Sequence, residues 1–501
     1  MKPKLLSAWL LVPVFLFALT GCGISDPEEG QDLSDSASLL RFSFTTSANP
    51  SIGTGSSAVL VNEFYCITVP EGADLSRLVP EITASEGASV FIDEKAYAKG
   101  TAYDFSGPVQ QIRIVSESGN RTLRYKLLVK PGDPYIDNQV YSFMNDFHVP
   151  GVSISIMKGT TLRYAGGYGF ADKASETRTT PDHLFRMASI SKQFCTLCIM
   201  KLKEDGLLGL DQPVFGEKGI LKGLFHNLTP YHESITVRNL LSHSSGICKG
   251  LSDPAFTNSY RFYSGSSTPV PTDTLIQRTL DARQQPYSDA TMTWSAGMGY
   301  NYSNVGFCIL HRVVEVVSGK DYESFLKEDV LSPMGVTDTH IGGYENQRRA
   351  NECVYYMQEG TNGYANPLRE LAGAAGIITS TNQLMRVLTC IDRDDTVPDF
   401  FSRETLDEMY TPYSYSGAGT YGAGYRRYGL GWRMNHSTLF PGAHYHGGNI
   451  AGTATLWVGD TDRHMSGAFV CNSRAYNSNS SGDIDDNLYI LLDRFLNYFD
   501  D

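Results

Sequence analysis

Three short, widely separated segments carry side chains that together could perform acyl transfer. The first is Ser189-Ile190-Ser191-Lys192, which opens a stretch with apolar residues at helical spacing, expected to end by Gly206. On a helix, Ser189 and Lys192 lie one turn apart and face the same side. A serine hydroxyl becomes a nucleophile when a nearby base removes its proton, and a helix start offers N–H groups to an oxyanion. Alone, this pattern is also what an ordinary surface helix turn would show.

The other two segments could supply a proton acceptor and a substrate-binding edge. In Tyr302-Ser303-Asn304, a phenol near a cation has a lowered pKa, and the amide of Asn304 can bridge the lysine and a substrate. In His446-Gly447-Gly448-Asn449, which precedes a predicted strand at Thr453, paired glycines let a substrate lie against a strand edge. Taken separately, a tyrosine in a polar loop and a turn before a strand explain these two segments equally well.

The order of the three segments gives them more weight than each has alone. The tyrosine follows the serine by 113 residues, and the histidine follows the tyrosine by 144 residues. This arrangement resembles the serine β-lactamase and penicillin-binding-protein superfamily, in particular its branch of class C β-lactamases, D-alanyl-D-alanine carboxypeptidases and family VIII esterases. The supporting phrases are Pro150-Gly151-Val152, Phe185-Arg186-Met187-Ala188, Leu240-Leu241-Ser242-His243-Ser244-Ser245-Gly246, Gly376-Ile377-Ile378-Thr379-Ser380 and Tyr428-Gly429-Leu430-Gly431-Trp432.

The resemblance implies a role for each of these residues. Ser189 would be the acyl-accepting nucleophile, with Lys192 and Tyr302 as its base system. The residues implied in substrate binding are Asn304, His446, Gly447, Gly448 and Asn449. The N–H groups of Ser189 and Asn449 would form the oxyanion hole. The family's chemistry requires no metal and no cofactor.

One position departs from the common family pattern. His446 stands where many members carry the lysine of a Lys-Thr-Gly triplet, which helps to hold a substrate carboxylate. We therefore expect an esterase or D-amino-acid peptidase with weak or no β-lactamase activity, acting on a small ester, peptide or peptidoglycan-type substrate. The alternative is a non-catalytic surface lipoprotein that binds peptidoglycan or glycan fragments. Intact Ser189, Lys192 and Tyr302 argue against that alternative.

Residues 38–131 have the pattern of an all-β module. Leu40, Phe42 and Phe44 alternate with polar residues, and a similar alternation runs from Leu123 to Val129. These patterns predict a β-sandwich that resembles the small immunoglobulin-like modules at the front of bacterial surface lipoproteins, with a spacer or docking role. Pro131-Gly132-Asp133-Pro134 marks its end.

Residues 133–501 have a mixed pattern. A short helix around residues 135–147 precedes strands at 152–156 and near 162–164, and two more strands follow at 453–458 and 468–471. A terminal amphipathic helix begins near Ile484. We therefore predict a multidomain protein whose second domain is α/β (α+β) and β-lactamase/transpeptidase-like. Its antiparallel sheet, completed by both chain ends, would be flanked by helices and interrupted by a mostly helical subdomain.

The first 37 residues are typical of an exported, lipid-anchored protein. Lys2 and Lys4 precede a 16-residue, almost uncharged run that leads to Gly21-Cys22. This resembles a bacterial lipoprotein signal, so we expect residues 1–21 to be removed, Cys22 to be lipidated and residues 22–37 to form a flexible tether. The predicted location is the cell envelope, anchored to the outer membrane on its periplasmic or surface face. An uncleaved membrane helix is the alternative.

The remaining composition excludes one class of partner. Lys and Arg total 41 against 54 Asp and Glu, a formal charge of −13, and no basic block is present, so nucleic-acid binding is not expected. Eight cysteines follow Cys22; they permit disulfides without establishing them. Cys195 and Cys198 lie within a helical pattern and are expected to be small buried hydrophobes.

Overall fold

The computed structural model describes residues 33–61, 63–107, 109–248, 270–282, 299–358, 363–364, 366–394, 396–416, 426–434, 439–475 and 481–500. The predicted signal peptide, Cys22 and the first part of the predicted tether lie outside these ranges. No helix within the ranges combines the length and hydropathy needed to cross a membrane. The described chain forms a strand-rich N-terminal module followed by a larger part in which helices cover an antiparallel sheet.

The strands of the N-terminal module lie in two sheets around one core. They are β1 (Leu39–Phe44), β2 (Ser56–Ser57), β3 (Val59–Val61), β4 (Phe64–Pro70), β5 (Pro80–Ala84), β6 (Ser89–Ile92), β7 (Lys95–Ala96), β8 (Gln110–Val115) and β9 (Thr122–Gly132). The sheet orders are β2-β1-β5 and β3-β4-β9-β8-β6-β7, and β4 pairs with β9 in parallel. Phe42, Phe44, Ile112 and Leu127 fill the space between the sheets.

One predicted core residue of β1 is on the opposite face. Phe42 and Phe44 are buried as expected, but Leu40 is 66% exposed and Leu39 is buried instead. The register between β1 and β5 shifts between Leu39 and Arg41. A bulge of this kind adds a residue to one strand, so the alternation of faces is broken at that point.

The N-terminal module and the larger second part of the chain share a hydrophobic core. Strand β9 ends at Gly132, and helix α1 (Pro134–Asp146) starts two residues later with Asp133 as its N-cap. Leu127 of β9 points into the module, whereas its neighbour Leu128 packs into the second core with residues of α1. Because both faces of β9 are covered, the period-two pattern of a half-buried strand describes this strand only in part.

A buried carboxylate lies at the same interface. The carboxylate of Asp137 on α1 has no exposed surface and accepts hydrogen bonds from Thr68 Oγ1 at 2.8 Å, Tyr164 Oη at 2.5 Å and Tyr168 Oη. Lys130 Nζ of β9 lies 3.2 Å from Asp137 Oδ2. Thr68 and Lys130 belong to the module and the other three residues to the second part. Polar contacts therefore cross the boundary together with the apolar ones.

The second part is built on a nine-stranded antiparallel sheet. Its strands are β10 (Gly151–Lys158), β11 (Thr161–Asp172), β12 (Thr177–Arg178), β17 (Ser414–Ser416), β18 (Arg426–Tyr428), β19 (Arg433–Met434), β20 (His444–Ile450), β21 (Thr453–Asp460) and β22 (Met465–Cys471). The order is β12-β11-β10-β22-β21-β20-β19-β18-β17. Strand β10 thus pairs with β22, which confirms that segments from both ends of this part complete one sheet.

Short strands and the helices complete this part. The remaining strands are β13 (Phe185–Arg186), β14 (His340–Ile341), β15 (Tyr356–Met357), β16 (Ile377–Thr379) and β23 (Ser473–Arg474). The helices are α2 (Ser191–Glu204), α3 (Pro230–Glu233), α4 (Val237–Leu241), α5 (Thr272–Ala282), α6 (Asn304–Ser318), α7 (Tyr322–Phe325), α8 (Ala372–Ala375), α9 (Thr381–Leu388), α10 (Arg403–Met409) and α11 (Ile484–Asp500). Helices α1 and α11 cover one face of the sheet, and α9 with the helical region around α2 covers the other.

The central strand β10 is buried on both faces, not on one. Its alternation of Val152, Ile154 and Ile156 with serines predicts a half-exposed strand, yet Ser153 and Ser155 have no exposed surface. Both serine hydroxyls lie 2.8 Å from Thr381 Oγ1 at the start of α9. A small polar residue is tolerated under a covering helix when its hydroxyl finds a partner.

The eight cysteines after Cys22 are all buried. Cys195 and Cys198 lie on α2 with no exposed surface, which confirms their expected role as small core residues.

Candidate active site

Ser189 lies in a tight turn that leads into α2. A 3₁₀ turn spans Ala188–Ile190, and α2 begins directly after it. Ala188 has a φ of 48°, in the left-handed region that a non-glycine residue rarely adopts. Shortly before it in the chain, Arg186 on β13 pairs with Ile378 on β16, and Ser191 Oγ accepts the N–H of Ile377 at 2.9 Å. The turn is therefore held on both sides of Ser189 by one strand.

Two side chains meet the hydroxyl of Ser189. Tyr302 Oη donates to Ser189 Oγ at 2.8 Å, and Lys192 Nζ donates to the same oxygen at 3.2 Å. Ser189 and Tyr302 are partly exposed, whereas Lys192 has no exposed surface. The structure thus brings together three residues that are up to 113 positions apart in the chain.

The ammonium of Lys192 is surrounded by acceptors. Besides Ser189, it donates to Asn304 Oδ1 at 2.6 Å and to the backbone oxygen of Ala374 at 2.8 Å. Its Nζ atom also lies 4.8 Å from the centre of the Tyr302 ring. Three acceptors match the three donors of an ammonium, so this buried charge is solvated by the protein and fixed in place.

Helix α6 positions Tyr302 and Asn304. Ser303 is its N-cap, and Ser303 Oγ accepts the N–H of Gly306 at 2.9 Å, so Asn304 is the first helical residue and Tyr302 precedes the cap. The N–H of Ser303 in turn donates to His243 Nδ1 at 3.1 Å, and the His243 ring lies 4.3 Å from the Tyr302 ring. Burial lowers the pKa of His243 well below its ordinary value, which keeps Nδ1 available as an acceptor.

The segment from His446 to Asn449 lies within a strand, not in a turn before one. It belongs to β20, which pairs with β21 along its whole length but with β19 only at Tyr445 and His444. The glycines allow close packing there: a Cβ at position 448 would lie 2.9 Å from Ser189 N and 2.5 Å from the oxygen of Met187. Gly448 therefore lets the strand approach the turn that carries Ser189.

The side chain of His446, a residue of β20, is buried. Its ring has no exposed surface; Nδ1 donates to the oxygen of Gly447 at 2.6 Å, and Nε2 lies 3.1 Å from Tyr428 Oη. Burial, followed by the charges of Arg433 and Lys192, lowers the pKa of His446 well below its ordinary value. The resemblance implies that His446 contacts the substrate directly. The structure differs, because the ring has no exposed surface and does not line the cavity.

A cavity of about 360 Å³ opens over Ser189. It is lined by Ser189, Tyr302, Asn304, Asn366, Arg433, Gly447, Asn449, Ile450, Ala451 and Arg474. The expected residues Asn304, Gly447 and Asn449 thus lie in its wall, with Gly448 packed behind them. The cavity is polar and positively charged on one side, where the two arginines lie.

The two cavity arginines differ in their partners. Arg474 donates to Asp485 Oδ2 at 3.3 Å, and the same oxygen accepts from Asn449 Nδ2 at 2.7 Å. Arg433 instead lies among tyrosines and donates to Tyr489 Oη at 3.4 Å. Among the residues that the structure describes, no carboxylate lies within 4 Å of the Arg433 guanidinium. Within the described part of the chain, its charge, which arginine keeps at all physiological pH values, therefore has no carboxylate beside it.

Four features of the site were not expected from the sequence: the positions of Arg433, Asn366 and Asp485 at the cavity, and the contact of His243 with Tyr302. His243 itself lies in one of the family phrases. Arg433 directly follows the phrase that ends at Trp432, so its position next to a family phrase was a usable signal. Asn366 lies in a segment without a distinctive pattern, and the helical pattern that includes Asp485 does not indicate a site. Only the fold places them at the cavity.

Comparison with known proteins identifies the class. The chain belongs to the Beta-lactamase family, which matches residues 136–491. A second family, described as "SGBP, N-terminal", matches residues 42–129, within the strand-rich module.

Individual relatives are distant. The Putative penicillin-binding protein PbpX of Bacillus subtilis (strain 168) is 25% identical over 329 residues, covering 64% of this chain and 73% of that protein. Penicillin-binding protein 4* of the same strain is 22% identical, covering 66% and 70%. Protein flp of Staphylococcus aureus (strain N315) is 25% identical over 260 residues, and the match spans only 48% of that protein.

Solved structures share the fold. A penicillin-binding protein homologue from Pyrococcus abyssi, described as octameric, has a TM-score of 0.56 at 23% identity, covering 72% of this chain and 77% of that one. The D-amino acid amidase from Ochrobactrum anthropi SV3 has a TM-score of 0.55 at 20% identity, covering 73% and 99%. At these identities the likeness concerns the fold.

Proposed function

We propose that this protein is a serine hydrolase that forms an acyl-enzyme on Ser189. The proposed substrates are small esters or amides of the esterase or D-amino-acid peptidase type, with weak or no turnover of β-lactams. The observation that carries the proposal is the convergence of Tyr302 Oη and Lys192 Nζ on Ser189 Oγ, at 2.8 and 3.2 Å. Membership of the Beta-lactamase family supports it.

The geometry suits proton transfer between the two hydroxyls. In the reactive form Tyr302 has lost its proton to solvent, so the hydrogen bond between the two oxygens reverses and Ser189 Oγ donates to the Tyr302 phenolate. As Ser189 Oγ attacks the carbonyl carbon, its proton passes to that phenolate. The Lys192 ammonium, 4.8 Å from the Tyr302 ring centre and bonded to Ser189 Oγ, would balance the negative charge of that phenolate. Tyr302 would then give the proton to the leaving group, and a water activated by the same pair would release the acyl group.

The N–H groups of Ser189 and Asn449 are the proposed oxyanion hole. The tight packing of Gly448 against Ser189 N brings strand β20 next to the turn, so two backbone donors can face one carbonyl oxygen. The side chain of Asn449 is anchored by Asp485, which restrains the strand where the second N–H lies.

Arg433 indicates the kind of group that the substrate carries. A guanidinium with no carboxylate partner in a cavity favours an anionic ligand, and it binds a carboxylate in a bidentate manner. The lysine that many family members carry at position 446 would here be buried beside Lys192 and Arg433. We therefore assign carboxylate binding to Arg433. His446 would be a neutral, buried residue of β20 that does not bind the carboxylate.

The proposed location rests on the N-terminal sequence. Residues 1–21 would be removed and Cys22 lipidated, which would anchor the protein to the outer membrane, on its periplasmic or surface face. A peptidoglycan-type peptide ending in a carboxylate would be available there and would suit Arg433. The substrate is thus proposed from the cavity and the predicted location together.

Acylation of Ser189 tests the proposal directly. The full mature chain is incubated with p-nitrophenyl acetate and, separately, with a fluorescent penicillin, and covalent labelling is followed by intact-protein mass spectrometry. We expect the wild type and the exposed-site control Ser175→Ala to be acylated by the ester and Ser189→Ala to remain unlabelled. If no ester, D-amino-acid peptide or β-lactam labels the wild type, the non-catalytic binding protein is the better description.

A further inference from the structure

We infer that Asn366 is a specificity-determining residue of the cavity and donates a hydrogen bond to a second carbonyl on the acyl part of an N-acylamino substrate. This inference rests on the proposed function, since it takes Ser189 as the acyl acceptor. What it adds is the residue: Asn366 would discriminate acyl groups that carry an amide next to the scissile carbonyl from simple alkyl acyl groups.

The orientation of the Asn366 amide is fixed by one contact. Asn366 lines the cavity and is only 7% exposed, and its Oδ1 accepts the N–H of Ala451 at 3.2 Å. Because a backbone N–H requires an acceptor, the oxygen must face Ala451 and the amide nitrogen must face away from it. Among the residues that the structure describes, no group accepts a hydrogen bond from Asn366 Nδ2. Within these described residues, the amide nitrogen of Asn366 is therefore a donor without an acceptor.

The position of this donor relative to the scissile bond defines the substrate. Ala451 follows directly after β20, two residues beyond Asn449, so Asn366 lies beside the strand edge that is proposed to hold the oxyanion. A substrate whose scissile carbonyl lies between Ser189 and Asn449 would direct its acyl chain along this edge. A second carbonyl on that chain is the group that a fixed amide N–H recognises, and an alkyl chain leaves the donor unpaired.

Buried contacts hold the described residues Gly363 and Tyr364, which shortly precede Asn366 in the chain. The fully buried Arg186 donates to the oxygen of Gly363 and lies over the rings of Tyr355 and Tyr364, at 3.9 and 4.5 Å from their centres. A Cβ at Gly452 would lie 2.9 Å from Tyr355 Cβ, so Tyr355 packs tightly against the turn after β20. Arg186 precedes Ser189 by three residues. The segment from Arg186 to Ser189 thus carries the nucleophile and also contacts Gly363, close in the chain to Asn366.

A pair of activated esters separates this role from general catalysis. The p-nitrophenyl esters of N-acetylglycine and of butyric acid share a leaving group and a similar chain length, but only the first has a second carbonyl. Asn366→Asp keeps an oxygen for the Ala451 N–H and replaces the donor by an acceptor, and Asn366→Ala removes both. We expect either variant to lower kcat/KM by about 10- to 100-fold for the N-acetylglycine ester, and by less than about threefold for the butyrate.

An exposed asparagine of the N-terminal module supplies the matched control. Asn120→Asp makes the same chemical change on a turn of that module and should leave both rates unchanged. Equal losses for the two esters, or no loss for either, would overturn the inference.

A binding measurement keeps the inference testable if the wild type hydrolyses neither ester. In that case the proposed function is decided separately by the acylation experiment above, and the inference is decided by NMR titration of Ser189→Ala with N-acetylglycinamide and butyramide. Ser189→Ala must then prefer N-acetylglycinamide, and adding Asn366→Asp must remove the preference. Absence of that preference overturns the inference.

Discussion

At the scale of single residues, the hydroxyl of Tyr302 is the group on which the proposed proton transfer depends. Tyr302→Phe removes this oxygen, 2.8 Å from Ser189 Oγ, and leaves the ring between Lys192 and His243. Since a positioned general base contributes about 10²- to 10⁴-fold, we expect kcat/KM for p-nitrophenyl acetate to fall by that factor. The exposed Tyr344→Phe is the matched control and should keep full activity. A Tyr302→Phe enzyme with wild-type kinetics would assign the base to Lys192 alone.

Arg433 allows a second prediction at this scale. Its guanidinium faces the cavity without a carboxylate partner among the described residues, so a substrate carboxylate would gain a charge-assisted bond there. Arg433→Met keeps much of the side-chain volume and removes the charge. We expect KM for an acyl-D-alanyl-D-alanine peptide to rise about 10- to 100-fold, whereas KM for its C-terminal amide should not change. Equal effects on acid and amide would show that Arg433 only shapes the cavity.

The residue scale also shows how far the site could be predicted from the sequence. The grouping of Ser189, Lys192 and Tyr302 was predictable because their motif order is specific to one superfamily. The burial of His446 was not, because it depends on Tyr428 and on a strand that the pattern placed after it, not around it. Asn366 follows shortly after Gly363, whose oxygen accepts a hydrogen bond from Arg186. This contact joins segments about 180 residues apart, and no local pattern encodes it.

At the scale of elements, the sequence patterns located most strands but not always their exposure. The alternation in β10 correctly predicted a strand, yet its serines are buried, because helix α9 covers the second face. In β1, one bulge moved Leu40 to the surface. Periodicity reports the local backbone, whereas burial on a second face depends on elements that pack there from elsewhere in the chain.

Strand β20, which carries Gly447 and Gly448, begins with the buried His444. Protonation of this histidine should make the free energy of unfolding depend on pH. Burial, and then the charge of Arg393, lowers the pKa of His444 to about 3. The unfolded chain, with a pKa of about 6.5 there, binds the proton first, so this contribution to stability is present above pH 6.5 and is lost as pH falls toward 3. Between pH 7 and 5, His444 should lower the free energy of unfolding by about 2 kcal/mol.

Urea unfolding of His444→Gln at the two pH values measures this contribution. The difference between pH 7 and pH 5 should be about 2 kcal/mol smaller in the variant than in the wild type, because glutamine does not titrate. The exposed His226→Gln should show the wild-type difference. Comparing each variant with itself removes any change in stability that is independent of pH. An unchanged difference in His444→Gln would mean that His444 is already protonated in the fold at pH 5.

At the scale of the whole molecule, the N-terminal module is joined to the rest of the chain as a rigid neighbour. The spacer role expected for residues 38–131 implies few contacts with the second part, but Phe64, Cys66 and Leu128 share a core with α1 and β11. The ring of Phe64 lies 4.8 Å from that of Phe170, and Asp137 collects hydrogen bonds from both sides of the boundary. A module packed in this way has a fixed orientation relative to the second part of the chain.

Lys130 is the residue through which this coupling can be measured. Its Nζ lies 3.2 Å from the fully buried Asp137 carboxylate and 4.1 Å from the centre of the Tyr168 ring, and its own side chain is 29% exposed. Lys130→Met keeps the apolar stem but leaves the carboxylate without its cation, which should cost about 2 kcal/mol of unfolding free energy. Lys99→Met, on an exposed part of the same module, should change stability by less than about 0.5 kcal/mol.

Because the shared core couples the two parts, calorimetry of the wild type should show one unfolding transition, and Lys130→Met should lower the midpoint temperature of that single transition. A wild type whose module unfolds in a separate, earlier transition would show that the interface contributes too little to hold the two parts together.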